Sequence, residues 1–360
     1  MLRSPVLSKI LSLVPVASSA ALLGSLLAAY VNPHTFIIPA FLGLAFPFLL
    51  IGHVLVCVFY FILTRSKLIF VFIIPLLASL PVFCNFFGVN FSTSSKGTDK
   101  NQFRLMTYNV HYFAHRDSVH VYVNAGIYEL MRQENPDIIC MQDFVYAGKR
   151  EAAIDSIRRI LRMPYYYTGP AKGAISNHEL AVFSRFPIVD TGYIQLAFDN
   201  SGNQCIFADI KRGNQVFRVY NVHFQSLKFQ PQDYERWDNG NAKNKASFLR
   251  HNFRRLQYAF LLRSSQVEIM KNEINACKIP SLVAGDFNDS PASYAVNEMS
   301  RGLKNTFREK AKGYKVTYNG DMPNFQIDYI MTKPVFQINS YKVIESKLSD
   351  HYPVSVDVSL

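Results

Sequence analysis

Hydrophobic and polar positions divide this chain into two stretches that obey different rules. From Ile10 to Thr64 no Asp, Glu, Lys or Arg occurs, and the first acid of the chain is Asp99. Three apolar runs, at about residues 11–31, 35–63 and 68–89, each approach the roughly 20 residues that cross a bilayer as a helix. Asn32-Pro33-His34 and Thr64-Arg65-Ser66-Lys67 separate them. The first run alone resembles a signal peptide, but two more follow with no soluble domain between. The pattern therefore predicts a three-helix transmembrane anchor over residues 1–91 and a Ser/Gly-containing linker over 92–101.

Beyond the linker, apolar positions alternate as in strands or recur as in helices. Strands are expected at 103–110, 137–142, 181–184, 204–210, 216–224, 281–284, 326–331, 338–344 and 354–359. Helices are expected at 119–133, 152–161 and 257–276, with a long polar stretch at 227–256. Strict strand–helix alternation is missing in the middle and at the end. The expectation for 102–360 is an α/β domain with mixed sheets.

Charge sets the expected orientation of the apolar runs. Arg3, Lys9, Arg65 and Lys67 flank the first run and fill the second loop, whereas the first loop has no Lys or Arg. The positive-inside rule puts the N-terminus in the cytoplasm and, after three crossings, the α/β domain on the non-cytoplasmic side, the periplasm in a bacterium. The net charge is +12; removing those four basic residues leaves +8, which suits an anionic membrane face or a polyanionic substrate. The five cysteines form no CxxC or Cys/His cluster, which argues against zinc or redox chemistry.

Polar residues recur at strand ends: Asn109 and His111, Gln142 and Asp143, Asn221 and His223, Asp286 and Asn288, Asp328, then Asp350 and His351. No GxSxG, Walker loop or HExxH accompanies them. The strings TYNV at 107–110, PDIICMQD at 136–143, LAVFSRFPI at 180–188, YNVHFQS at 220–226, GDFN at 285–288, IDYI at 327–330 and SDHYPV at 349–354 resemble the endonuclease/exonuclease/phosphatase family, in its order. That family includes DNase I-like nucleases, neutral sphingomyelinases and inositol polyphosphate phosphatases.

The resemblance implies a four-layer sandwich of two packed mixed β-sheets flanked by helices. It implies a metal-dependent phosphoester hydrolase, with Mg²⁺ (or Mn²⁺) held by Asp143, assisted by Asn109 and by Asp350 through its water shell. Asp286 would deprotonate the attacking water and Asn288 position it. His223 and His351 would donate to the phosphate, with Asp328 orienting His351. One departure stands out: the family usually has Glu after the Gln of its second motif, and this chain has Asp143, one methylene shorter. A ligand about 1 Å out of place costs on the order of a hundredfold in rate. A second departure is His178-Glu179, where the family often has a glycine; His178 is assigned to substrate choice, with Arg236 and Trp237 of the 227–256 stretch. The expected partners are the bilayer and a phosphoester, a lipid head group before a nucleic acid. A catalytically weak phosphate-binding module is the non-enzymatic alternative.

Overall fold

A computed structural model describes residues 5–90, 101–113, 125–145, 150–170, 179–196, 203–227, 242–320 and 324–360. Most of the expected linker and the residues His178, Arg236 and Trp237 lie outside the described residues. The chain forms two compact units, Met1–Phe87 with Asp289–Glu298, and Gly88–Asn288 with Met299–Leu360.

The first unit is helical, with helices at Pro5–Leu26, Ile38–Leu44, Phe46–Thr64 and Ile69–Phe86. Leu11–Ala29, Phe46–Thr64 and Ile69–Phe86 are long and apolar enough to cross a membrane. The apolar run at 35–63 is not one helix. It breaks at Ala45, because Pro39 and Pro47 each sit in a first helical turn, where a missing N–H costs nothing. Phe48, Ile51, Phe59 and Phe70 are all more than 60% exposed, a surface that suits hydrocarbon better than water. Buried His53 reaches Ser18 Oγ through Nδ1 and the Phe72 carbonyl through Nε2, both at 2.8 Å. The unit also takes in Asp289–Glu298, from within the 102–360 stretch; Asn85 Nδ2 donates to the Pro291 carbonyl at 3.4 Å.

The strands are β1 (Phe87–Val89), β2 (Gln102–Asn109), β3 (Ile138–Phe144), β4 (Tyr165–Thr168), β5 (Glu179–Ser184), β6 (Ile188–Gln195) and β7 (Gln204–Arg212). They continue as β8 (Gln215–His223), β9 (Ser281–Asp286), β10 (Lys304–Asn305), β11 (Lys312–Tyr314), β12 (Asp328–Thr332), β13 (Gln337–Val343) and β14 (Val354–Ser359). One mixed sheet has the order β13-β14-β2-β3-β5-β4 and the other β10-β12-β9-β8-β7-β6. Each is built around one parallel pair, β2–β3 and β8–β9, with antiparallel neighbours outside it.

The inner faces meet in one core. Phe103, Leu105, Ile138, Cys140 and Val356 of the first sheet pack with Ile206, Phe217, Val219, Leu282, Ala284 and Ile330 of the second. The outer face of the first sheet (Met106, Tyr108, Ile139, Met141) is covered by Ile127, Met131, Ile154 and Ile157 from helices Ala125–Glu134 and Arg150–Leu161. Helix Ala242–Ala276 buries Phe260, Val267, Met270 and Ile274, and Tyr220 of the second sheet donates to its Glu273 carbonyl. The result is the expected sandwich of two mixed sheets flanked by helices. One expectation fails: residues 242–256 are helical rather than a polar insertion. No Gly or Pro interrupts them, and their charges had masked the helical period.

Strand alternation also explains where the site lies. Side chains two apart share a face. On β2 the inward series is Phe103, Leu105, Thr107, Asn109; on β3, Ile138, Cys140, Gln142; on β8, Phe217, Val219, Asn221, His223; on β9, Leu282, Ala284, Asp286. Each series begins apolar and ends polar. The register sets Asp328, at the start of β12, directly beside Asp286. Val354, at the start of β14, lies beside Thr107. The inter-sheet core therefore turns polar at one pole.

Candidate functional site

Just below that pole a buried amide layer joins the sheets. Gln142 Nε2 donates to Asn221 Oδ1 at 2.6 Å, while Asn221 Nδ2 donates to the Met141 and Ala181 carbonyls at 2.9 and 3.0 Å. All four groups are fully buried, so each hydrogen bond fixes the distance between the sheets as well as satisfying a polar atom.

Above this layer the expected residues converge. Asn109 Nδ2 donates to Asp286 Oδ2 at 3.1 Å and to Asp143 Oδ2 at 3.3 Å. His223 spans the same two acids, with Nδ1 3.6 Å from Asp143 Oδ1 and Nε2 3.6 Å from Asp286 Oδ2. His351 Nε2 is 3.8 Å from Asp286 Oδ2, and its Nδ1 donates to Asp328 Oδ2 at 3.0 Å. Asp328 is held in turn by Thr317, whose Oγ1 accepts from the backbone N–H groups of Ile327 and Asp328. The Asn288 backbone N–H donates to Asp286 Oδ1 at 2.8 Å, and its amide donates to the Phe224 carbonyl at 3.0 Å.

Asp350 is placed differently from the others. Its carboxylate lies 3.3 Å from His111 Nδ1, and its backbone carbonyl accepts from Asn319 N–H. Ser349 Oγ donates to the Asn109 carbonyl at 2.9 Å, which ties this loop to the end of β2. Sequence reasoning noted His111 without assigning it a role; a second polar residue past a strand end was its only signal. Thr317 and Tyr112 carried none. Burial raises the Tyr112 hydroxyl pKa, and the nearby Asp143 and Asp350 charges raise it further.

The backbone is strained here. His111, Tyr112, Phe113, Asp143 and Asn288 all have φ between 41° and 58°, a region that side-chain-bearing residues seldom occupy. At Asp143 the positive φ coincides with a register shift between β3 and β5 at Met141/Phe144. The shorter acid thus stands on a bulged, left-handed backbone, and its carboxylate reaches the cluster. Gly285 of GDFN has φ +152°, and a Cβ there would lie 2.0 Å from the Val222 carbonyl on the parallel neighbour β8. The missing side chain lets β8 and β9 approach closely enough to bring His223 beside Asp286.

Electrostatics follow from burial. Desolvation pushes the Asp286 pKa up to about 6; His351 and His223 oppose this and Asp328 adds to it. For His351 burial favours the neutral ring, but Asp328 and Asp286 together outweigh it and hold its pKa well above the usual value. Burial and charge thus favour an imidazolium at His351 between Asp328 and Asp286, the second of which has its pKa raised to about 6.

The donor set suits a hard divalent cation. Asn109 Nδ2 donates to two carboxylates at once, so it marks the point where their negative fields meet, while its Oδ1 accepts from the His111 N–H at 3.1 Å. Carboxylate and amide oxygens are the ligands Mg²⁺ and Mn²⁺ take. Donor atoms of Asp286, Asp328 and His351 also lie within 4.8 Å of one another, but there His351 Nδ1 is committed to Asp328.

Comparison with known proteins agrees with this geometry. Residues 106–351 match the family model described as the endonuclease/exonuclease/phosphatase family, and residues 8–86 match a domain of unknown function (DUF8431). Among curated proteins there is no match. Similar solved structures include an endonuclease/exonuclease/phosphatase from Bacteroides vulgatus, with TM-score 0.54, 18% identity, and coverage of 72% of this chain and 99% of that one. A mannosyl-6-phosphatase from Bacteroides thetaiotaomicron VPI-5482 has TM-score 0.51 and 17% identity, covering 72% and 100%. A humanized D. rerio TDP2 has TM-score 0.51 and 12% identity, covering 72% and 100%. At such identities these likenesses carry the fold. Members of the family are hydrolases of phosphoester bonds and are generally dependent on divalent metals. With the family model spanning most of its length, the chain belongs to the endonuclease/exonuclease/phosphatase family.

Proposed function

We propose that the protein is a membrane-anchored, Mg²⁺-dependent phosphoester hydrolase acting on phosphodiester lipids or other membrane-associated phosphoesters. The observation that carries this reading is the convergence of Asn109, Asp143, His223, Asp286 and His351 at one pole of a chain that also holds three bilayer-length helices. Asp143 would hold the cation, with Asn109 and Asp350 assisting through its water shell; the cation would supply charge neutralisation at the phosphoryl oxygens.

The chain's own residues do the rest. Asp286 accepts the proton of the attacking water on Oδ2, the oxygen facing both imidazoles. Asn288 fixes the other oxygen of that carboxylate through its backbone N–H. His351, kept charged and aligned by Asp328, and His223 donate to the phosphoryl group. The bilayer raises the local concentration of lipid head groups around a tethered domain, which favours lipid over nucleic acid as substrate.

The test is a panel with the full chain in proteoliposomes and Mg²⁺: phospholipids, sphingomyelin, single-stranded DNA, duplex DNA and RNA. Lipid head-group release is the expected result. Cleavage of nucleic acid alone would replace this reading with that of a membrane-bound nuclease, and turnover of none would favour a phosphate-binding module.

A further inference from the structure

Helix Ala242–Ala276 is longer than the sheet it covers. Its buried stripe runs through Phe260, Val267, Met270 and Ile274. Gln266 Oε1 accepts from the Gln225 N–H at 2.9 Å, two residues past His223, so Gln266 is level with the polar pole. Residues N-terminal to it run on past that pole. At 1.5 Å per residue, Phe253 and Leu249 lie about 20 and 25 Å further along the helix axis.

The stripe continues onto this projecting part. Leu249, Phe253, Leu256 and Phe260 follow helical spacing, yet Leu249 is 55% and Phe253 50% exposed, whereas Phe260 is 4% exposed. Tyr258 is 53% exposed, and Arg250, His251 and Arg254 are exposed around them. From Ala242 to Val267 the helix has six Lys or Arg and no acid. Apolar side chains at the edge of an acid-free basic helix suit the boundary of an anionic bilayer: rings and aliphatic groups enter the acyl region while guanidinium groups remain among head groups. Leu249 offers a base no stacking surface, which sets this face apart from a nucleic-acid platform.

We propose that residues 247–258 form an interfacial arm that seats on an anionic membrane surface through Leu249 and Phe253, with Arg250 and Arg254 on its head groups. Because the same helix runs from the arm to the polar pole, about 12 Å from residue 258 to Gln266, seating the arm brings head groups toward the site. This deepens the reading of the chain as a membrane-held hydrolase and rests on it.

The test places an environment-sensitive fluorescent amino acid at position 253 of the full chain, in proteoliposomes of phosphatidylcholine with and without phosphatidylglycerol. Hydrolysis of bis-p-nitrophenyl phosphate is followed in the same samples. The expected result is a blue shift and quenching by acyl-brominated lipid when phosphatidylglycerol is present, lost in Arg250→Glu/Arg254→Glu, with hydrolysis of the soluble ester unchanged. A water-like emission in both vesicles would overturn the arm, as would a blue shift already complete in detergent. A shift produced by single-stranded DNA and not by anionic lipid would overturn it in favour of nucleic acid. Absence of ester hydrolysis alongside a normal shift would instead count against the hydrolase reading and leave the arm standing.

Discussion

Asp286 Oδ2 has the Asn109 amide, His223 Nε2 and His351 Nε2 within 3.8 Å, while its Oδ1 is held by the Asn288 backbone. Burial and Asp328 raise its pKa to about 6, against the pull of the two imidazoles. A base must be ionised to accept a proton, so hydrolysis should rise with pH and level off above about 6 in a pH–rate profile. The same shift acts with opposite sense on stability. The folded state favours the protonated acid, so this contribution is complete below roughly 4 and is lost as pH rises through about 6. Asp286→Asn should lower the rate by about 10²- to 10⁴-fold and leave the melting temperature equal or higher, since a neutral amide replaces a buried acid. These residue types were legible in the sequence because each lies at or beside a strand end. The His111–Asp350 pair was not, because residues 239 positions apart carry no shared local pattern.

At the level of elements, the site depends on how closely the sheets and strands approach. Asn221 alone contacts Gln142, Met141 and Ala181 across the inter-sheet layer. Asn221→Leu removes one buried partner from each of the three and should cost about 3 kcal/mol, read as a fall of roughly 5–10 °C in melting temperature. Gly285→Ala should be harsher, because the new Cβ meets the Val222 carbonyl and no side chain can move aside. Wider β8–β9 spacing would separate His223 from Asp286, so any folded fraction should bind Mg²⁺ but turn over slowly. The long inward-facing strands were legible from their alternation. The edge strands β4, β6 and β10 were not, because Tyr165-Tyr166-Tyr167 is aromatic throughout, Val189 and Thr191 of β6 face solvent, and β10 has two residues. The break at Ala45 was obscured because an apolar run records hydrophobicity rather than helix continuity.

For the whole molecule, composition alone separated a charge-free stretch from an ordinary globular one, and the helices Leu11–Ala29, Phe46–Thr64 and Ile69–Phe86 bear out its capacity to span a membrane. What composition could not show was that Asp289–Glu298, the segment directly after Asn288, belongs with those helices, because it is polar and distant in sequence. The full chain should sediment with membranes and resist alkaline carbonate, requiring detergent for release. We propose a dependence of hydrolysis on a divalent cation held by the acids at the pole. Its most direct test is the rate of phosphodiester hydrolysis by the full chain before chelation, after EDTA, and after Mg²⁺ is restored, with Asp143→Ala alongside. Loss on chelation, recovery with Mg²⁺ and a higher Mg²⁺ requirement or no recovery in Asp143→Ala is the predicted result. A rate indifferent to EDTA, or identical Mg²⁺ dependence in Asp143→Ala, would contradict it.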